Sequence, residues 1–226
     1  MLDTWLNYSI ILFITLSFLL GIFSLYKNPK SFTVWVWVLF LITVIYTNIV
    51  YLLSLKGDSN LALLYSRLLH IGVPFISVFL FHFVLALIYK HILPFYKLVV
   101  RISYCIAILL ASLALTPWII NDVFFGGVLS TTVVIGPLYP LLLVYIFTLS
   151  IWAIFLLFKE YRGREGAMRR QIFYIFLGVL VSFLGSLSYY LPQLFNIYPY
   201  GNFLMWTFPI FVTYGVFIEE VKISFN

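Results

Sequence analysis

The chain has 226 residues, of which 64% are hydrophobic and 9% charged, and its net charge is +6. A soluble domain carries roughly 25% charged residues, so this chain lacks the polar surface to face water and must take a bilayer as its solvent. Its lysines and arginines gather in short connections between apolar runs, so the basic balance does not mark a nucleic-acid binder, and no nucleic-acid partner is expected.

A membrane-crossing helix needs about 20 mostly apolar residues. Seven windows qualify, at 5–25, 32–54, 62–89, 98–116, 138–158, 172–192 and 203–218. The first follows "MLDTWLNY", which has no basic region and carries Asp3. No removable signal peptide is therefore expected, and the first window is expected to be retained. The third window is long and contains Pro74, which predicts a kink, a tilt or both. The fourth contains Cys105, the single cysteine, so no intrachain disulfide can form. The seventh is short and contains Pro209. Aromatic residues make up 21% of the chain, which predicts broad interfacial belts.

The connections fix an expected orientation. Lys27 and Lys30 lie between the first two windows, and Lys90 and Lys97 lie between the third and fourth, with Arg101 just beyond. Lys159, Arg162, Arg164, Arg169 and Arg170 lie between the fifth and sixth windows, and Lys222 follows the seventh. Eleven of the thirteen Lys and Arg residues thus share one side, leaving Lys56 and Arg67 on the other. Basic loops stay in the cytoplasm, so the N-terminus is expected outside and the C-terminus inside. The basic loop between windows five and six would also favour an anionic inner leaflet.

Two outer connections stand out. One is "TPWIINDVFFGGVLSTTVVIGP", whose Gly126–Gly127 pair and β-branched run predict a hairpin or a re-entrant cap. The other is the uncharged, aromatic "PQLFNIYPYGN". They are either ordinary interfacial loops or a joint lid over the outer mouth of the bundle.

Polar side chains inside spanning helices are costly and usually face the bundle interior or a watery cavity. Arg67 and His70 are three residues apart and share a helix face. They lie roughly 9–14 Å along the helix from Leu61. Two readings are open for them. Arg67 snorkels outward and His70 is a hydrogen-bonded structural group, or the two form a positive floor for an anionic ligand head or a pH-sensitive set with Asp122. Tyr46, Asn48, Tyr189, Tyr190 and Gln193 fall near the same depth and are candidate pocket lining, with belt and helix–helix roles as the alternative. His82 is about 18 Å further along the helix than His70, and His91 falls on the basic side. The three histidines therefore predict no metal site. Gly178, Ser182 and Ser186, with Gly185 beside them, form a small-residue face suited to close helix packing within the bundle or at a dimer seam.

Several chemistries are excluded. There is no nucleophile–base pair, no paired carboxylate and no phosphate loop, so an enzyme is not expected. No window has a central carboxylate, which disfavours a proton relay. The seventh window, "FLMWTFPIFVTYGVFI", has no lysine for a retinal Schiff base. No cofactor is predicted.

Four stretches, "YSRLLHIGVPFISVFLFHFVLALI", "GPLYPLLLVYIFTLSIWAIFLLF", "RRQIFYIFLGVLVSFLGSLSYYLPQL" and "FPIFVTYGVFIEEVKISF", carry a resemblance that covers nearly the whole chain. They resemble the N-terminal seven-helix sensor region of bacterial histidine kinases, including its Gly-Pro-Leu before span five and its Arg-x-Gln at the start of span six. The resemblance places Arg67 at the family's span-three arginine, whereas His70 stands where an aromatic is more usual. It implies a membrane input module that feeds a cytoplasmic kinase core, PAS or cyclase domain. No phosphoacceptor segment or ATP-binding motif occurs before Asn226. The chain is thus expected to be either the sensor region of a longer protein or a stand-alone relative acting through partners.

The resulting expectation is an all-α, polytopic seven-transmembrane helix bundle, residues 1–226 forming one sensor domain in the bacterial cytoplasmic membrane. It would sense a small or lipophilic ligand or a membrane state. The output would leave through Glu219, Glu220 and Lys222, and a homodimer is expected. The rival classes are a small-solute transporter or channel and a non-catalytic assembly partner.

Overall fold

Runs of large apolar side chains become helices here because a helix satisfies its own backbone donors and acceptors where no water can. The computed structural model describes residues 2–55, 59–125, 129 and 131–217. Lys56, Asp58, Gly126, Gly127, Glu219, Glu220 and Lys222 lie outside the described residues.

The helices are α1 (Leu2–Lys27), α2 (Phe32–Ser54), α3 (Ser59–Leu87), α4 (Pro94–Ala114), α5 (Tyr139–Gly163), α6 (Gly166–Tyr189), the short α7 (Leu191–Phe195) and α8 (Thr207–Phe217). Their starts are written in the sequence. Ser31 caps α2, its hydroxyl accepting from the Val34 amide at 3.4 Å. Pro94, Pro140 and Pro192 sit in the first turns of α4, α5 and α7, where a missing N–H costs nothing.

Among the described residues six helical segments are long and apolar enough to cross a bilayer: Thr4–Lys27, Phe32–Ser54, Asn60–Leu87, Pro94–Ala114, Tyr139–Gly163 and Gly166–Phe195. The predicted seventh window holds the eleven-residue α8. Within the described residues, at 1.5 Å per residue, α8 covers roughly 16 Å, about half of a 30 Å hydrocarbon core. The fourth predicted window, 98–116, started late: α4 begins at Pro94 and carries Lys97 and Arg101 in its first turns. Helix α3 runs unbroken through Pro74. The proline withdraws the N–H that would serve the carbonyl of His70, four residues earlier.

Helix α3 is the central rod, with 67% of its most apolar window buried against 28% for α1. Its core contacts include Phe81 on Trp152 of α5 at 5.0 Å and Phe83 on Trp37 of α2 at 5.2 Å. Gly72 permits the close α2–α3 approach, since a Cβ there would collide with Thr47 and meet the Tyr46 ring at 3.0 Å. Trp37, Phe40, Phe83 and Phe208 form one aromatic cluster that joins the start of α8 to α2, and through Trp37 to α3, with centroid separations of 5.2 to 5.6 Å, while α8 packs along α6 and α1. Such ring pairs prefer edge-on or offset contact and contribute beyond their buried area.

The predicted hairpin is present. Strands β1 (Ile120–Phe124) and β2 (Thr132–Ile135) pair antiparallel, Ile120 opposite Ile135 and Phe124 opposite Thr132. A bulge falls between Ile120 and Asp122. Two more backbone bonds extend the pairing toward the helices, Gly136 N–H to the Ile119 carbonyl and Leu138 N–H to the Trp118 carbonyl, each 2.8 Å. This is where a side chain has no room. A Cβ on Gly136 would strike the carbonyls of Pro117 and Trp118, and backbone cannot step aside as a side-chain tip can. Gly136→Ala is expected to lower thermal stability in detergent by several degrees and to speed hydrogen exchange in β1 and β2. An unchanged exchange pattern would show that the hairpin base is looser than this packing implies.

Opposite the hairpin lies the basic end. There the Lys90 ammonium meets Glu160 Oε1 at 2.9 Å, and Arg164 Nε donates to Glu160 Oε2 at 3.3 Å. These bonds tie the α3–α4 connection to the end of α5. The basic connections therefore sit together at one end of the bundle.

Candidate functional site

At mid-depth and toward the hairpin end, α1, α2, α3, α5 and α6 leave a cavity of about 120 Å³ between them. Its apolar walls include Ile10 and Phe13 from α1, Phe40 and Val44 from α2, Val73 and Leu80 from α3, and Ile146 from α5. Into it come Thr47, Asn48, Ser77, Ser150, Ser182, Ser186 and Asn202. Among the described residues, no lysine, arginine, histidine, aspartate or glutamate lines it. The helix positions set its depth. Ser150 is eleven residues into α5, roughly 16 Å from its start, and Ser182 is seven residues from the end of α6, roughly 10 Å.

Hydrogen bonding separates these polar groups. The Ser186 hydroxyl donates to the Phe183 carbonyl at 2.8 Å, and Thr47 donates to the Val44 carbonyl at 2.9 Å. Both are satisfied by their own helices. Asn48 donates to the Val44 carbonyl at 2.8 Å through Nδ2, which leaves its Oδ1 without a donor. Asn202 accepts from Ser188 at 3.5 Å and, through its carbonyl, from Ser9 at 3.1 Å. The hydroxyls of Ser77, Ser150 and Ser182 make no hydrogen bond to the protein among the described residues, although Ser77 and Ser150 are buried.

The predicted site residues divide among five places. Asn48, Tyr189 and Tyr190 line the cavity. His70 lies outside it, fully buried, its Nδ1–H donating to the Ser66 carbonyl at 2.7 Å. It connects to the cavity through rings: His70 to Tyr139 at 5.7 Å, Tyr139 to Tyr190 at 6.5 Å, Tyr190 to Tyr189 at 5.4 Å and Tyr189 to Tyr51 at 5.2 Å. Arg67 is turned toward the hairpin. Its Nε donates to the Ile120 carbonyl at 3.2 Å and an Nη to the Asn121 carbonyl at 3.4 Å. Tyr46 is exposed on the bundle surface, its hydroxyl donating to the Leu68 carbonyl at 2.9 Å. Asp122 is exposed on β1, accepts from the Val123 amide at 2.8 Å and forms no ion pair with Arg67. Gln193 borders a separate, open groove of about 630 Å³ between α7 and the hairpin. The eight residues therefore do not line one pocket. Helical spacing groups Arg67 with His70, but their side chains are claimed by different neighbours.

Ser77, Ser150 and Asn202 carry the cavity without any motif in the sequence that points to them, and the sequence pattern marks Ser182 for helix packing alone. An isolated serine in an apolar run has no periodic signature. The usable signal was single hydroxyls on three different helices at compatible depth. Gly178 and Gly185 do serve close packing, as the small-residue face predicts. A Cβ on Gly178 would sit 2.9 Å from Val212 of α8, and one on Gly185 would sit 2.7 Å from Met205.

A helical bundle with six spans of crossing length, an uncharged interior cavity and a basic end is a multi-pass protein of the cytoplasmic membrane. Its sequence matches the family described as the N-terminal 7TM region of histidine kinase over residues 9–219, and the chain belongs to that family. The family is a sensor input region rather than a catalytic domain. No curated protein matches the chain.

Proposed function

We infer that residues 1–226 form one sensory input domain that converts occupancy of the central cavity into a shift of its last helix. The carrying observation is that one side chain serves both places. Phe40 is a cavity wall, and its ring lies 5.4 Å from Phe208 on α8. Met205, just before α8, lines the same cavity. Helix α6 repeats the connection: Ser182 faces the cavity, Gly178 carries α8, and Gln171 Nε2 donates to the Val216 carbonyl in the last turn of α8 at 3.3 Å. A ligand that fits one arrangement of these side chains better than another shifts the population toward it.

In this reading the N-terminus and hairpin face outward, while the basic end and the residues after Phe217 face the cytoplasm. There Glu219, Glu220 and Lys222 begin the output toward a kinase, PAS or cyclase domain, in the same chain or in a partner. Gly178 and Gly185 are occupied within the bundle, so a homodimer would use a different face.

Topology tests this directly. In a Cys105→Ser background, Arg164→Cys is expected to react with an impermeant thiol reagent only after the membrane is opened, and Trp118→Cys from outside intact cells. The reverse labelling pattern would overturn the proposed direction of signalling.

A further inference from the structure

We propose that the cavity binds a small, neutral, lipophilic molecule bearing a hydroxyl or carbonyl, such as a short alcohol, phenol or ketone. The proposal deepens the sensory reading above by naming the class of ligand, and it rests on three features of the walls.

The first is charge. Moving an ionised group into a low-dielectric interior is costly without a counter-charge. The lining offers none, and the nearest cation considered for such a role, Arg67, is engaged with the hairpin carbonyls. Carboxylates, phosphates and ammonium ions are therefore excluded. The second is polarity. Ser77, Ser150 and Ser182 come from three helices and make no side-chain hydrogen bond among the described residues, and Asn48 holds an acceptor open beside them. Buried hydroxyls demand partners. A purely hydrocarbon occupant would leave all of them unmade, whereas one hydroxyl or carbonyl can join two or more. The third is size. A cavity of about 120 Å³ is slightly smaller than the roughly 150 Å³ apolar cavity known to take benzene. That sets the ligand at one ring or short chain with its polar substituent, about six to eight heavy atoms. Such a molecule partitions into the bilayer, so no water-filled entrance is needed.

The test uses 4-fluorophenol as the probe and the full chain in lipid nanodiscs, followed by fluorine NMR. A saturable bound resonance, absent from empty nanodiscs, is expected. Ser77→Ala and Ser150→Ala remove one hydroxyl each without filling the cavity and should each weaken binding by roughly fivefold, the worth of one net hydrogen bond. Ser150→Leu should abolish it by filling the space. If Ser150→Leu does not fold, Ser182→Leu supplies the same blockade from α6. 4-Fluorobenzoate, of similar size but anionic, should not compete. The proposal falls if the probe shows only lipid partitioning, if the alanine variants bind as tightly as the parent, or if fluorobenzoate competes equally. Because the readout is binding, failure here rejects the ligand class and leaves the proposed link from cavity to α8 standing, to be judged by output measurements.

Discussion

Phe208→Ala should abolish the stimulus-dependent change in output while leaving the bundle in the membrane. Phe208 is fully buried and touches both Trp37 and Phe40, at 5.6 and 5.4 Å. Truncation to alanine leaves a void at the point where the cavity wall meets the last helix. Phe→Ala in soluble cores costs about 3–5 kcal/mol. Within a bilayer the unfolded reference remains in lipid, so the transfer part shrinks and the packing part stays. About 2–3 kcal/mol is expected, measured by denaturation in bicelles. A coupling of that size corresponds to roughly 30- to 150-fold in the ratio of two states, enough to erase a response. Where the output domain is a kinase core, as proposed above, the decisive readout is its phosphorylation in membranes, with and without stimulus. Phe208→Leu keeps most of the volume and should retain part of the response. Full response amplitude in Phe208→Ala would remove α8 from the signalling route.

The sequence made the spans legible because about 20 apolar residues can hardly be anything else in this composition. It made the hairpin legible through the β-branched run after Gly126–Gly127. The charge pattern made the basic end legible, where Glu160 meets Lys90 and Arg164. Direction around each helix was harder to read. Tyr46 and Asn48 are two apart on α2, and one lies on the bundle surface while the other lines the cavity. The reason is the near-uniform apolarity of the spans: when lipid and core are equally greasy, no hydrophobic face tells inside from outside. Only tertiary packing, such as Gly72 against Thr47, sets the rotation. The seventh span was expected over 203–218, but the described helix starts at Thr207, after a 3-10 turn at Tyr200–Leu204. Tyr200, Gly201 and Asn202 favour that turn, and Gly201 fits where Ser188 leaves no room for a Cβ.

Arg67→Met should release the hairpin without disturbing the cavity. A β-bulge inserts Asn121 between Ile120 and Asp122 and leaves that stretch of backbone without its full ladder bonds. Arg67 supplies donors to two of the carbonyls concerned, those of Ile120 and Asn121. The guanidinium is a planar multi-donor group; without it the Ile120 carbonyl, in a part-buried bond, is left to find water or stay unpaired, while the Asn121 carbonyl is exposed to solvent. Hydrogen bonds to charged groups contribute about 1.5–3 kcal/mol. The two bonds here are long, at 3.2 and 3.4 Å, which favours the lower end of that range. Methionine keeps the apolar stem against α3, so the effect isolates the guanidinium. Amide exchange in residues 120–124 and 132–135 should accelerate by roughly tenfold, the equivalent of 1.4 kcal/mol. Exchange in α2, α3 and α5 around the cavity should stay as it was, and 4-fluorophenol binding should be unchanged. Loss of probe binding in Arg67→Met would instead make the arginine part of the ligand site and return an anionic or strongly polar ligand to consideration. The two outcomes therefore separate a residue that holds the cap in place from one that reads the ligand.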